Sequence, residues 1–86
     1  MNIDELIANV KKKLKKNINI ENISIEDKTF LHKNHLGHEA NKFHLKISIM
    51  SDELKILNKI ESNKKIYKIL DEELKNHIHS LQILIN

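Results

Sequence analysis

The sequence predicts an α+β domain in the order helix, strand, strand, helix, strand, with one sheet covered on one face by two helices. Three observations carry this. Apolar residues recur at helical spacing over the first sixteen positions, strict two-residue alternation runs from Phe43 to Met50 and again from Ile78 to Ile85, and helical spacing returns between those two runs. Eighty-six residues without cysteine make one domain, residues 1–86, with a small core that no disulfide or thiolate-bound metal can staple. Burial of isoleucine and leucine must therefore carry the fold.

Asn2 to Lys16 reads as an amphipathic helix, because Ile3, Leu6, Ile7, Val10 and Leu14 fall on one face. Asp4 and Glu5 at its start and the lysines at its end suit the helix dipole. Five lysines among residues 11 to 16 form the densest positive patch, read first as a solvated helix end and second as a phosphate-binding surface. Short alternations from Ile18 to Ile25 place the first strand at Ile20 to Glu26. Residues 27 to 41 show no usable periodicity and hold the only glycine, Gly37; a loop this long in a small domain is more often functional than incidental.

Phe43, Leu45, Ile47 and Ile49 alternate with His44, Lys46, Ser48 and Met50, so His44 is expected to point away from the main apolar face. Ser51 and Asp52 stop that strand and offer a helix cap. A short turn of helix is expected near Asp52 to Leu54, then a long helix from Lys59 to Asn76 marked by Ile60, Ile66, Ile69, Leu70 and Leu74. In the last strand, Ile78 to Ile85, the residues His79, Leu81, Ile83 and Ile85 share a face. His79 is thus expected to open the strand and point toward the apolar side.

All fifteen basic residues are lysine and the net charge is +3. An acidic partner or nucleic acid would be attracted, but the side chain suited to bidentate guanine reading, arginine, is absent. No apolar run approaches the roughly 18 residues of a membrane span. Asp4 and Glu5 stand where a secretory signal would carry basic residues, so a cytoplasmic protein without membrane attachment is expected.

The chemistry-bearing residues are the six histidines, at 32, 35, 38, 44, 77 and 79. Without thiolates, imidazole is the best transition-metal ligand this chain offers, and a loop cluster plus a histidine opening a distant strand can converge in a folded domain. His32 and His77 read as surface residues. His32, His35 and His38 with Glu39 or Asp27 would make an isolated zinc site, but their spacing matches no closed structural site. Glu26 and Asp27 are strand neighbours pointing to opposite faces, which argues against an acid–base pair. No nucleophile, base and orienting residue stand at recognisable spacing, so no enzyme is expected.

Several of these segments together resemble the BolA-like family. Ile25-Glu26-Asp27-Lys28-Thr29 looks like that family's strand end before its variable loop, and Leu36-Gly37-His38 resembles its Gly-His loop element. His44-Leu45-Lys46-Ile47 parallels its His-Phe-x-Val strand, and Ser51-Asp52-Glu53-Leu54 its Ser-Asp-x-Phe. Ile66-Tyr67-Lys68-Ile69-Leu70, followed by Glu73-Leu74, is similar to its Val-Tyr-x-x-Leu and Glu-Leu helix. His77-Ile78-His79-Ser80-Leu81 resembles the His-Ala-Leu element that opens its last strand. The chain departs from the family where Arg-His-Arg is replaced by Ser62-Asn63-Lys64 and a glycine by Ile56.

The resemblance implies a class II KH-like fold, α-β-β-α-β. It also implies a monothiol glutaredoxin partner and a bridging [2Fe–2S] cluster, shared in iron–sulfur trafficking or iron regulation, to which the glutaredoxin cysteine and glutathione give sulfur. Carried onto this chain, the implied imidazole ligands are His79 and His38, with His35 and His44 as alternatives to His38. No cofactor is expected in the isolated protein, a monomer or weak homodimer. The second function class is a DNA-binding transcriptional regulator, in which Lys55, Lys59, Lys64, Lys65 and Lys68 would follow a phosphate backbone. A KH-type grip on RNA is weaker, because it needs a Gly-x-x-Gly loop. A third class is an interaction module that docks a partner without sharing metal.

Overall fold

The computed structural model describes residues 2–29 and 42–86. Helix α1 spans Ile3–Asn17, opened by the Asn2 side chain accepting from the Glu5 N–H and closed with Lys15 and Lys16 in its last turn. Its buried stripe of Leu6, Val10 and Leu14 is the one the sequence spacing predicts. Strand β1 is Asn22–Asp27, two residues later than expected at its start. Ile20 packs on the core ahead of the strand, and the Glu21 N–H donates to Met50 O where the ladder begins.

Strand β2, Phe43–Met50, follows the predicted alternation and pairs antiparallel with β1, Asn22 opposite Met50 through Asp27 opposite Leu45. Strand β3, Ile78–Ile85, pairs parallel on the other side of β2, giving the order β1-β2-β3. Helices cover one face only. On it lie the rows Ile23–Ile49–Ile85 and Ile25–Ile47–Ile83, while Ser24–Ser48–Leu84 and Glu26–Lys46–Gln82 occupy the open face. The α+β architecture is as the sequence predicts.

Helix α2, Asp52–Ile56, is longer than the expected single turn and is capped by Ser51, whose Oγ accepts from the Leu54 N–H. The same fully buried hydroxyl donates to Asn19 O at 2.7 Å, pinning the end of β2 to the segment that precedes β1. The expected long helix from Lys59 to Asn76 is instead two, α3, Lys59–Ile69, and α4, Asp71–Asn76, with Leu70 at φ −97°, ψ 18° between them. Backbone bonds continue through the joint, since Leu70 N–H reaches Ile66 O and Leu74 N–H reaches Leu70 O, so the chain bends rather than breaks. Leu70 itself is fully buried. Three carboxylates in the next turn, Asp71, Glu72 and Glu73, favour a fresh helix N-terminus there.

One buried cluster joins α1, the sheet, α2, α3 and the Leu70 joint. At its edge Lys13 of α1 grips the buried Glu73 carboxylate of α4 at 2.7 and 3.0 Å. That hydrogen bond raises the Lys13 pKa above its ordinary value, against the desolvation that lowers it. The lysine patch of α1 is therefore divided: Lys13 holds α4, while Lys12, Lys15 and Lys16 are the solvated helix end. Among the described residues no helix is long and apolar enough to cross a membrane.

Candidate functional site

Two of the described histidines, His44 and His79, lie together on the open side of the sheet where β2 and β3 begin to pair. Between Phe43 and His44 the β2–β3 register shifts: Phe43 stands opposite Ile78, His44 opposite Ser80 and Leu45 opposite Leu81. Two residues of β3, His79 and Ser80, thus answer one of β2, which is a β-bulge. The bulge lets both Ile78 and Leu81 pack on the core, and it turns His79 out. This corrects the expectation that His79 points to the apolar side with Leu81, Ile83 and Ile85. His79 is exposed, and its ring centroid lies 4.9 Å from that of His44 with the planes tilted by 54°.

His44 occupies the open-face row with Lys46 and Ser48, as expected, yet is only 6% exposed. Its Nδ1 is 2.6 Å from Ser80 Oγ, so the second bulge residue fixes the ring that stands beside His79. Backbone contacts bring the start of the histidine-bearing segment to the same place. The Lys28 N–H donates to His44 O at 2.7 Å, and the His44 N–H donates to Thr29 Oγ1 at 3.2 Å. Asp27 in turn accepts from the Thr29 N–H and hydroxyl. Thr29 and Lys42, the two described residues that bound segment 30–41, therefore both flank the bulge.

His32, His35, His38 and Glu39 lie outside the described residues, and with them the expected loop ligand and the zinc alternative. Among the described residues no group of three or more His, Asp or Glu side chains is placed to hold a metal ion. His77 is half-buried where α4 meets β3. Its N–H donates to Glu73 O and its carbonyl accepts from the Phe43 N–H, so it serves as a backbone joint.

Of the lysines proposed for a phosphate backbone, Lys55, Lys59, Lys64 and Lys68 are exposed on α2 and α3. Lys65 is half-buried and held by Glu53 at 2.8 Å, so it is already neutralised within the fold. The Lys65 hydrogen bond, helped by the Asn19 N–H, lowers the Glu53 pKa below the ordinary carboxylate value. A depressed carboxylate contributes stability that is present above its unfolded-state pKa and is lost as pH falls through its folded-state pKa. Glu53→Gln is expected to flatten the acid limb of a stability-versus-pH profile measured by urea unfolding; an unchanged limb would show that this contact contributes nothing.

Ser80 as the orienting partner of His44 was not legible in the sequence. A signal was present, since Ile78 and Leu81 stand three apart with two polar residues between them, a spacing a regular strand cannot place on one face.

Residues 14–86 match the family model described as BolA-like protein. A curated relative, the DNA-binding transcriptional regulator BolA of Haemophilus influenzae, is 31% identical over 83 residues, covering 96% of this chain and 75% of the relative. The solved BolA domain of SufE1 from Arabidopsis thaliana superposes with a TM-score of 0.77 at 26% identity, covering 92% of this chain and 87% of that one. BolA1 from Arabidopsis thaliana gives 0.78 at 24% identity, covering 93% and 88%, a likeness of fold.

Proposed function

Because this chain belongs to the BolA-like family, we propose that it is a non-enzymatic adaptor that docks a monothiol glutaredoxin and shares a bridging [2Fe–2S] cluster with it, in iron–sulfur trafficking or iron regulation. The observation that carries this reading is the exposed His79 imidazole, turned out by the bulge and standing against a buried, oriented His44. A ligand to a cluster held between two proteins must be reachable from outside, which favours His79 over the buried His44. His44 then acts behind it as an orienting neighbour. The second imidazole of the pair is assigned to His38. That is the loop position the family resemblance implies, with His35 as its alternative in the same segment.

These donors fit the group: neutral imidazoles replace thiolates at one iron of such clusters. When bound, the cluster supplies redox chemistry and a transferable iron–sulfur unit. This chain's part is to present imidazole and to lose its grip as imidazole takes up a proton. The test is a titration of a cluster-loaded monothiol glutaredoxin with this protein, followed by visible absorption and circular dichroism. A spectral change saturating at one equivalent supports shared ligation; an unchanged spectrum sinks it.

A second reading, a DNA-binding transcriptional regulator, is favoured by the exposed Lys55, Lys59, Lys64 and Lys68 and by the name of the Haemophilus influenzae relative. If those four lysines contact phosphates, log K against log salt should fall with a slope near −4, and each Lys→Ala change should reduce it by about 1. A flat salt dependence in a duplex-binding assay would remove this reading.

A further inference from the structure

Strand β3 is an edge strand, and its outer side has the two properties of a peptide-docking site. The first is a run of open backbone groups. Asn86 uses both its groups toward β2, donating to Ile49 O and accepting from the Ser51 N–H. By the two-residue alternation of a parallel ladder, Gln82 and Leu84 also bond inward, and Leu81, Ile83 and Ile85 aim theirs outward. The Leu81 carbonyl accepts from the Tyr67 hydroxyl at 3.4 Å, which confirms the direction and closes that end of the edge. No hydrogen bond among the described residues reaches the outward groups of Ile83 and Ile85. Natural edge strands are commonly blunted by charge or proline, yet residues 77–86 contain no lysine, carboxylate or proline.

The second property is a groove of about 410 Å³ that runs along this edge between β3 and the α2–α3 corner. Its apolar wall is Leu54, Leu57, Ile83 and Ile85, and its helical rim carries Lys55 and Lys59. Both lysines are exposed, neither makes an ion pair among the described residues, and no carboxylate lines the groove.

We propose that the outer edge of β3 and the groove beside it take an extended peptide with alternating apolar residues and acidic flanks, added to the sheet as a fourth strand. Main-chain bonds to Ile83 and Ile85 hold the peptide in register, alternate side chains enter the groove, and the flanking carboxylates meet Lys55 and Lys59. A single-stranded nucleic acid fits less well, because the groove offers no aromatic platform for bases. A second copy of the chain fits less well too, since edge-to-edge pairing would bring two lysine-rimmed grooves together.

The test uses the full chain, isotope-labelled, and a blocked nonapeptide with valine at alternate central positions, threonine between them and glutamate at both ends. The expected result is a shift and slowed hydrogen exchange at the Ile83 and Ile85 amides. Affinity should fall at least about tenfold when the peptide is N-methylated on its bonding edge, which deletes ladder donors. Lys55→Glu combined with Lys59→Glu should weaken the glutamate-flanked peptide and strengthen a lysine-flanked one. Three outcomes overturn the proposal: no change at Ile83 and Ile85 with millimolar peptide, equal binding of the N-methylated peptide, or tighter binding of a nine-residue oligothymidylate at the same amides. Protection of those amides that rises with protein concentration and no peptide would assign the edge to a second copy instead.

Discussion

His79→Ala is expected to abolish the cluster-bound heterodimer with a monothiol glutaredoxin while leaving metal-free docking within about twofold. The side chain is exposed and outside the core, so its loss should barely change folding. Under the proposed ligation it nevertheless removes one imidazole from the iron. Changes behind a ligand typically cost 10–100-fold in metal affinity, and deletion of the ligand itself should exceed that range. Ser80→Ala makes the graded comparison: it removes the hydroxyl 2.6 Å from His44 Nδ1, loosens one hold on the ring that stands against His79, and should weaken cluster retention by roughly tenfold without abolishing it. His38→Ala separates the loop assignments, since loss of the cluster spectrum there assigns the ligand to His38, and persistence there with loss in His35→Ala assigns it to His35. Retention of the full spectrum by His79→Ala would end the shared-ligation reading. Apo docking measured in the same variant then shows whether a metal-free interaction module remains.

The placement of His79 also shows where sequence periodicity stops being informative. Strand β2 was legible in its bounds and its facing, because its two faces meet different media and the apolar and polar sets alternate from Phe43 to Ile49. Helix α1 was legible for the same reason at period 3.6. The bend at Leu70 was not, because the apolar spacing Ile66, Leu70, Leu74 is itself helical and the backbone bonds continue across the joint. Only the acidic run from Asp71 to Glu73 marked a second N-terminus. In β3 the alternation from Leu81 to Ile85 was extrapolated back one residue too far. An extra residue in a strand inverts every side chain beyond it, so a correct strand boundary still gave the wrong direction for His79. The residue pattern and the BolA-like resemblance both single out His79, and neither carries its direction. The burial of His44 was hidden by the assumption that an open-face residue is solvated, which fails where a bulge crowds two side chains against one.

Ile47→Ala should be the most destabilising single substitution among the isoleucines of the sheet, lowering stability by about 3 kcal/mol and the melting temperature by roughly 15 °C. Ile47 is fully buried at the centre of β2, in one row with Ile25 of β1 and Ile83 of β3, so truncation opens a cavity that no loop can fill by relaxing. An 86-residue domain holds only about 4–13 kcal/mol in total, so this one change removes a large share of it. Ile47→Val keeps the β-branch, removes one methylene and should cost about 1 kcal/mol. Ile56→Ala removes the same atoms as Ile47→Ala, but from a side chain that is 84% exposed, and should move stability by no more than about 0.5 kcal/mol. Urea unfolding of the three variants checks the order, and equal losses at positions 47 and 56 would contradict this account of the core. The same series calibrates the site. Ile47→Ala should reduce docking and cluster ligation in parallel, through the folded fraction, whereas His79→Ala should separate them, because only the second acts on the ligand and not on the sheet that carries it.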